Sequence, residues 1–339
     1  MTEIFDPVGL GAPGTRPRVT VLGASGFLGS TAATLLARSP VALRLVARRP
    51  SSVPVDPVAE VEVRSADLTD RAALAEAVAD SDVILHLVCH RSSAQAWRTG
   101  DDPVSERVNV GVARDLVEVV RAQGGPPPVC VFAGSTSQVG LVAAARVDGT
   151  EEDHPVSGYD RHKLAAERAL LEGTREGVLR GISLRLPTVY GVCPSPTATD
   201  GGVVTAMARR ALAGQPLTVW RDGAIGRDLL HVEDAARALL AAVAHAAELA
   251  GRHWLVGTGR SSSLAELFAS IARMASEANG RPPVPVVTVE PPEHASAADF
   301  QSLTVDSSAF WKVTGWEPVV TPEEGLARTV GFLAGTATG

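Results

Sequence analysis

Tyr159 and Lys163 stand four residues apart in a segment with helical apolar spacing, so both side chains lie on one face of a helix. An ammonium about 4 Å from a phenol favours the phenolate by about 4 kcal/mol at an effective dielectric of about 20. That is about three pKa units, an upper bound that brings a phenol toward neutrality, where it exchanges a proton in turnover. Both residue types are scarce. The chain has two tyrosines, Tyr159 and Tyr190, and of its 31 basic residues only Lys163 and Lys312 are lysine. In so arginine-rich a chain this pair weighs more than a YxxxK on a basic surface helix, the competing reading. The cluster Ser135-Thr136-Ser137 follows the apolar run Val129–Ala133. Hydroxyls at the carboxyl end of a strand sit where open α/β sheets bind ligands, and they can orient a substrate oxygen.

A second constellation lies upstream, in Gly23-Ala24-Ser25-Gly26-Phe27-Leu28-Gly29. Gly23 permits a tight turn, Gly26 lets the backbone approach a pyrophosphate, and Gly29 lets a helix pack closely on a strand. The turn formed by Ser25, Phe27 and Leu28 presents free N–H groups at a helix N-terminus, a site for phosphate. The loop falls between an apolar strand and a helix, the context a dinucleotide site requires. The next strand ends in Ala47-Arg48-Arg49-Pro50 with no acid. Arg48 and Arg49 suit a 2′-phosphate, so NADPH is expected over NADH; a solvated basic loop is the alternative. Asp67-Leu68 follows the third strand, where the acid can meet the adenine amine.

These residues need a scaffold. Apolar runs and helical spacing alternate: strands 18–22, 42–46, 60–64, 82–88, 129–133 and 181–186, with helices 27–38, 70–79, 108–122 and 159–173, the last stopped by Gly173. The alternation predicts a doubly wound parallel α/β sheet. Residues 1–17 read as a flexible leader, 18–190 as the dinucleotide-binding domain and 191–339 mainly as a smaller C-terminal substrate lobe. A segment near 227–250 is expected to return to the first domain. The Pro/Thr/Ser/Gly-rich stretch 192–202 marks the boundary.

Composition narrows the function. The 38 acidic and 31 basic residues leave a net charge of −7, against a global grip on nucleic acid. Three widely spaced cysteines, Cys89, Cys130 and Cys193, form no metal or disulfide pattern. No apolar run approaches the length of a membrane span, and the N-terminus lacks a signal-peptide pattern. A cytoplasmic protein without a metal is expected.

Together these motifs resemble the extended short-chain dehydrogenase/reductases of the nucleotide-sugar epimerase/dehydratase group, from Arg18 to the C-terminus. The glycine loop, Asp67-Leu68, the strand ending Leu87-Val88, Asn109, Ser135-Thr136 and Tyr159/Lys163 carry the likeness. So do Leu184-Arg185-Leu186-Pro187-Thr188-Val189-Tyr190-Gly191 and Arg227-Asp228-Leu229-Leu230-His231-Val232-Glu233-Asp234. The stretch 209–220 running into Arg227 is most similar to dTDP-4-keto-6-deoxyhexose 4-ketoreductases of deoxysugar biosynthesis. The resemblance implies a Rossmann fold with Tyr159 as proton donor and Lys163 as its partner and ribose ligand. It implies Thr136 on the 4-keto oxygen, with Ser135, Ser137, Thr188 and Val203 beside the sugar nucleotide. Leu87, Val88, Asn109, Pro187 and Val189 border the cofactor, and Arg227 faces the diphosphate; an ion pair with Asp228 or another acid is its competing reading.

Departures matter as well. Dehydratases of the group carry Asp-Glu after the catalytic Thr; Ser137-Gln138 stand here, which argues against 4,6-dehydration. His90 and Trp97 either border the pocket or serve packing. The expected activity is NADPH-dependent C4 ketoreduction. An epimerase with retained NAD is the alternative, and a cofactor-sensing regulator is disfavoured by the Tyr/Lys pair. The resemblance also implies a homodimer through helices 108–122 and 159–173, though intramolecular packing would leave a similar pattern.

Overall fold

The computed structural model describes residues 16–90, 102–195, 198, 200–292, 295 and 297–337. The expectations placed on residues 1–15 and on Trp97 lie outside the described residues. Seven strands form one parallel sheet: β1 (Arg18–Leu22), β2 (Ala42–Ala47), β3 (Glu60–Ser65), β4 (Val83–His86), β5 (Val129–Ser135), β6 (Arg180–Leu186) and β7 (His253–Leu255). Their order is β7-β6-β5-β4-β1-β2-β3. The chain leaves β1 toward β2 on one side and resumes on the other with β4. That reversal opens a crevice between the carboxyl ends of β1 and β4, the place where doubly wound sheets bind ligands.

The central strands are apolar on both faces because helices cover both. On one face α1 (Phe27–Leu36) packs with α5 (Val232–Ala244) around Leu43, Leu45, Leu85, Val131 and Leu239. On the other, α2 (Arg71–Val78), α3 (Val112–Gln123) and α4 (Gly158–Arg175) cover Leu22, Ile84, Cys130 and Phe132. Burial pushes the Cys130 thiol up to about 12, so it is an inert core residue. A third core joins helices 203–212, 264–279 and 322–337 around Ala208, Phe268, Ile271 and Val330.

Three local features differ from the sequence expectation. Gly173 does not stop α4, which runs on to Arg175. A Cβ at Gly173 would stand 2.8 Å from a Val117 methyl, so this glycine lets α3 and α4 pack closely. The helix expected from Val108 begins instead at Pro103, capped by Asp102, and passes through a π turn at Arg107–Gly111 before α3. Strand β5 extends two residues beyond the apolar run, to Ser135, because its backbone keeps pairing with β6 up to Leu186.

Candidate active site

The glycine loop caps β1. Gly23 has φ +90°, and a Cβ there would stand 3.0 Å from the Leu87 carbonyl group. At Gly29 a Cβ would meet the Gly23 oxygen at 2.2 Å. Gly26 is the N-cap of α1 and offers no side-chain cap. The first-turn N–H groups, around Phe27 and Leu28, are therefore open to an anion. The Ser25 carbonyl accepts from the Ser195 hydroxyl at 3.1 Å, a bond from the 191–202 stretch to the glycine loop.

At the end of β2, Arg48 and Arg49 are exposed, and the nearby Ser51 hydroxyl is buried with no partner among the described residues. Asp67 lies opposite; hydrogen bonds from the Thr69 N–H and hydroxyl hold its carboxyl below the usual range, aided by Arg48 and Arg107. Leu68 is buried, and Leu87 and Val88 are half-buried at the end of β4. Asn109 clamps the next loop: its Oδ1 accepts from the His90 N–H at 2.7 Å and its Nδ2 donates to the His90 carbonyl at 3.0 Å.

Tyr159 is half-buried in the first turn of α4, one turn from Lys163. Lys163 is buried, and its Nζ donates to the Ala133 carbonyl of β5 at 2.7 Å. The ammonium stands 5.8 Å from the centre of the Tyr159 ring and 4.8 Å from that of Phe132. His86, fully buried at the end of β4, packs against the same phenylalanine with ring centres 5.4 Å apart. Neither of its ring nitrogens has a partner among the described residues. Burial, then the Lys163 charge, pushes its pKa down to about 3, so the imidazole is neutral. Tyr190 is a different case. It is buried edge-on to His231, donates to the Pro322 carbonyl at 3.3 Å, and has its phenol pushed up by burial. Of the two tyrosines only Tyr159 shares a helical turn with Lys163.

The hydroxyl cluster meets α4 directly. Ser135 ends β5, and residues 136–139 form a 3₁₀ turn. The Ser135 and Ser137 hydroxyls are 2.8 Å apart, and Ser137 donates to Asp160 Oδ1 at 2.5 Å. The Thr136 side chain is largely buried. Gln138 is fully buried, its Oε1 accepting from the Ser135 N–H at 2.7 Å. Sequence reasoning missed Asp160. The signal available was the Ser157-x-x-Asp160 capping box that starts α4. It placed His86 in the fourth strand but gave its ring no role, because an apolar strand context hides a polar ring.

On the far side of the crevice, Pro187, Thr188 and Val189 are half-buried, and Thr188 pairs in register with Leu229. Val203 opens the helix 203–212. The Arg227 guanidinium donates to the carbonyls of Gly226 at 3.1 Å, Gln301 at 2.7 Å and Asp299 at 2.8 Å. These carbonyls fix the fork without cancelling its charge. The adjacent Asp228 is not its partner; it accepts from Thr258, Gly259 and Val305.

A model of the NAD dependent epimerase/dehydratase family matches residues 19–257. The chain belongs to that family. Among its relatives, the UDP-glucose 4-epimerase of Mycolicibacterium smegmatis is 29% identical over 93% of this chain and 98% of its own length. The dTDP-6-deoxy-L-talose 4-dehydrogenase (NAD(P)(+)) of Kitasatospora kifunensis is 28% identical over 93% and 95%. The solved UDP-glucose 4-epimerase from Brucella ovis, in complex with NAD, superposes with a TM-score of 0.78 at 25% identity, covering 94% of this chain and 98% of that one. Family membership places the chain among NAD(P)-dependent oxidoreductases and epimerases of nucleotide sugars. In a member of this family, the open N-terminus of α1, the Tyr159–Lys163 turn and the Ser135–Thr136–Ser137 tip converge on the carboxyl edge of one sheet.

Proposed function

We propose that the chain reduces the C4 keto group of a dTDP-4-keto-6-deoxyhexose with NADPH. The observation that carries this reading is the end of β2, where Arg48 and Arg49 lie exposed with no carboxylate in the Ala47–Ser51 stretch. A cofactor consumed and exchanged each turnover suits a 2′-phosphate site; a retained NAD needs none. The residues present fit a dinucleotide, since Gly29 has no room for a Cβ and the N-cap of α1 leaves its N–H groups open. Ser51 adds a buried hydroxyl without a partner among the described residues. The relative named as an NAD(P) 4-dehydrogenase of a dTDP-6-deoxysugar supports the same chemistry run in reverse.

The bound cofactor supplies the hydride to C4. Tyr159 Oη gives a proton to the forming C4 alkoxide. Lys163, held by the Ala133 carbonyl, keeps a positive charge beside the phenol and reaches the ribose. Thr136 orients the keto oxygen; Ser135, Ser137, Thr188 and Val203 border the sugar nucleotide. Arg227 meets the diphosphate with a guanidinium fork. Gly23, Ser25, Gly26, Phe27, Leu28, Arg48, Arg49, Asp67, Leu68, Leu87, Val88, Asn109, Pro187 and Val189 hold the cofactor. In this reading residues 18–190, with the return near 227–250, form the cofactor domain, the rest of 191–339 forms the substrate lobe, and the protein works as a cytoplasmic homodimer.

The test is NADPH absorbance at 340 nm with an enzymatically made panel of dTDP-4-keto-6-deoxyhexoses. Stoichiometric loss of NADPH is expected, abolished in Tyr159→Phe. No loss with any panel member overturns the reading. The second reading, an epimerase with retained NAD, draws support from the mycobacterial relative; it predicts NAD in the purified protein and no net cofactor consumption.

A further inference from the structure

Arg221 stands in a backbone conformation made for glycine. It follows the short strand Leu217–Trp220, and the Gly223 N–H closes a turn on the Trp220 carbonyl at 3.1 Å. Arg221 is the first central residue of that turn and has φ +52°. A side chain in this left-handed region crowds its own backbone, so glycine is the residue favoured there. The Arg221 side chain is exposed, and its guanidinium lies over the Phe300 ring at 4.0 Å. It makes no hydrogen bond or ion pair among the described residues. Trp220 meets the same phenylalanine, with ring centres 6.0 Å apart. Stacking uses the flat face of a guanidinium and leaves its N–H donors directed around the edge of the ring.

The neighbours of Phe300 fix where this stack lies. The Asp299 and Gln301 carbonyls, one on each side of Phe300 in the chain, hold the Arg227 guanidinium. The Gln301 side chain donates from Nε2 to the Val142 carbonyl at 2.8 Å, just past the 136–139 turn that carries Thr136. One wall therefore runs from the hydroxyl tip through Val142 and Gln301 to Arg227, and on through Phe300 to Arg221. A sugar nucleotide has its groups in the same order: sugar, diphosphate, base. With the keto carbon at Thr136 and the diphosphate at Arg227, the base falls at Phe300 and Arg221.

We infer that Arg221 is a specificity residue that donates hydrogen bonds to the carbonyl edge of the substrate's nucleobase. The inference rests on the sugar-nucleotide reading above and adds how the base is chosen. Arginine can only donate. Thymine presents two carbonyl oxygens to it. Adenine has no carbonyl, and its amino group sets donor against donor. The strained turn holds the guanidinium where the base arrives, and local strain of this kind persists at ligand sites.

The test is calorimetric binding of dTDP and dADP to wild type and Arg221→Gly. Saturating NADP⁺ is present throughout, so that neither nucleotide enters the cofactor site. Wild type is expected to bind dTDP about ten- to a hundredfold more tightly than dADP. Arg221→Gly should weaken dTDP by about tenfold or more and dADP by less than about threefold. Its melting temperature should stay level or rise, because glycine adopts this φ without strain. A merely structural Arg221 would instead lower the melting temperature and weaken both nucleotides alike. The same dTDP-to-dADP ratio in Arg221→Gly as in wild type overturns the inference, as does a wild type without preference for dTDP. If NADPH is consumed with a dTDP-4-keto-6-deoxyhexose while either of those results is found, the inference falls and ketoreduction stands. If no panel sugar is reduced but Arg221 selects dTDP, the reaction is misassigned and the inference stands. A wild type that binds neither nucleotide overturns both.

Discussion

Tyr159 and Lys163 share one turn of α4, and the Ala133 carbonyl pins the lysine so that its charge stays beside the phenol. Replacing Tyr159 by Phe removes the proton and keeps the ring. The expected result is a fall in kcat of about 10²–10⁴ with an unchanged melting temperature. His86 makes a different prediction. In the unfolded chain a histidine takes up its proton near 6.5, whereas buried His86 resists protonation down to about 3. Between those values the unfolded state binds more protons. His86 thus leaves stability untouched above about pH 6.5 and lowers it by about 1.4 kcal/mol per pH unit below that, until about pH 3. His86→Phe should flatten this acid arm, and melting curves from pH 4 to 7 measure it; parallel slopes for the two proteins would contradict the assignment. The pair Tyr159/Lys163 was legible from spacing and scarcity. The neutral state of His86 was not, because it depends on Phe132 and Lys163, which arrive from other elements.

At the scale of elements, the glycine loop was readable because each glycine answers a local demand. Gly29→Ala would drive a methyl into the Gly23 oxygen, so α1 must shift from β1. The expected outcome is loss of dinucleotide binding by calorimetry together with a lower melting temperature. Substituting Arg48 and Arg49 by Ala should raise the KM for NADPH at least tenfold and narrow its preference over NADH, since a 2′-phosphate pairs best with a guanidinium fork. Gly173 shows where sequence alone misled: a glycine in a run of good helix formers reads as a stop, and only the approach of Val117 explains it. Arg227 shows another limit. Its carbonyl partners Asp299 and Gln301 lie more than 70 residues away in sequence, beyond any local pattern. Asp160 fell between the two, since its capping role is local but its bond to Ser137 is not.

At the scale of the molecule, one sheet carries the glycine loop and the Tyr159–Lys163 turn along a single edge, and a separate core holds the helices beyond it. The Ser195–Ser25 bond ties the stretch after the sheet back to the glycine loop. Alternating strands and helices made the doubly wound sheet legible. The seventh strand, His253–Leu255, was not, because three residues joining β6 at the edge leave no periodic signal. The outer faces of α3 and α4 present Arg114, Arg161 and Arg168 around Leu164, Ala165 and Ala169. A two-fold dimer through these faces brings like charges together, so sedimentation should show association strengthening as salt rises. The central claim, hydride delivery from NADPH to C4, is tested most directly with cofactor deuterated at the nicotinamide C4. Incubation with a dTDP-4-keto-6-deoxyhexose followed by mass spectrometry and NMR should place one deuterium on sugar C4, with one oxidised cofactor released per product. A product inverted at C4 without deuterium, formed while NAD stays bound to the protein, would contradict the account.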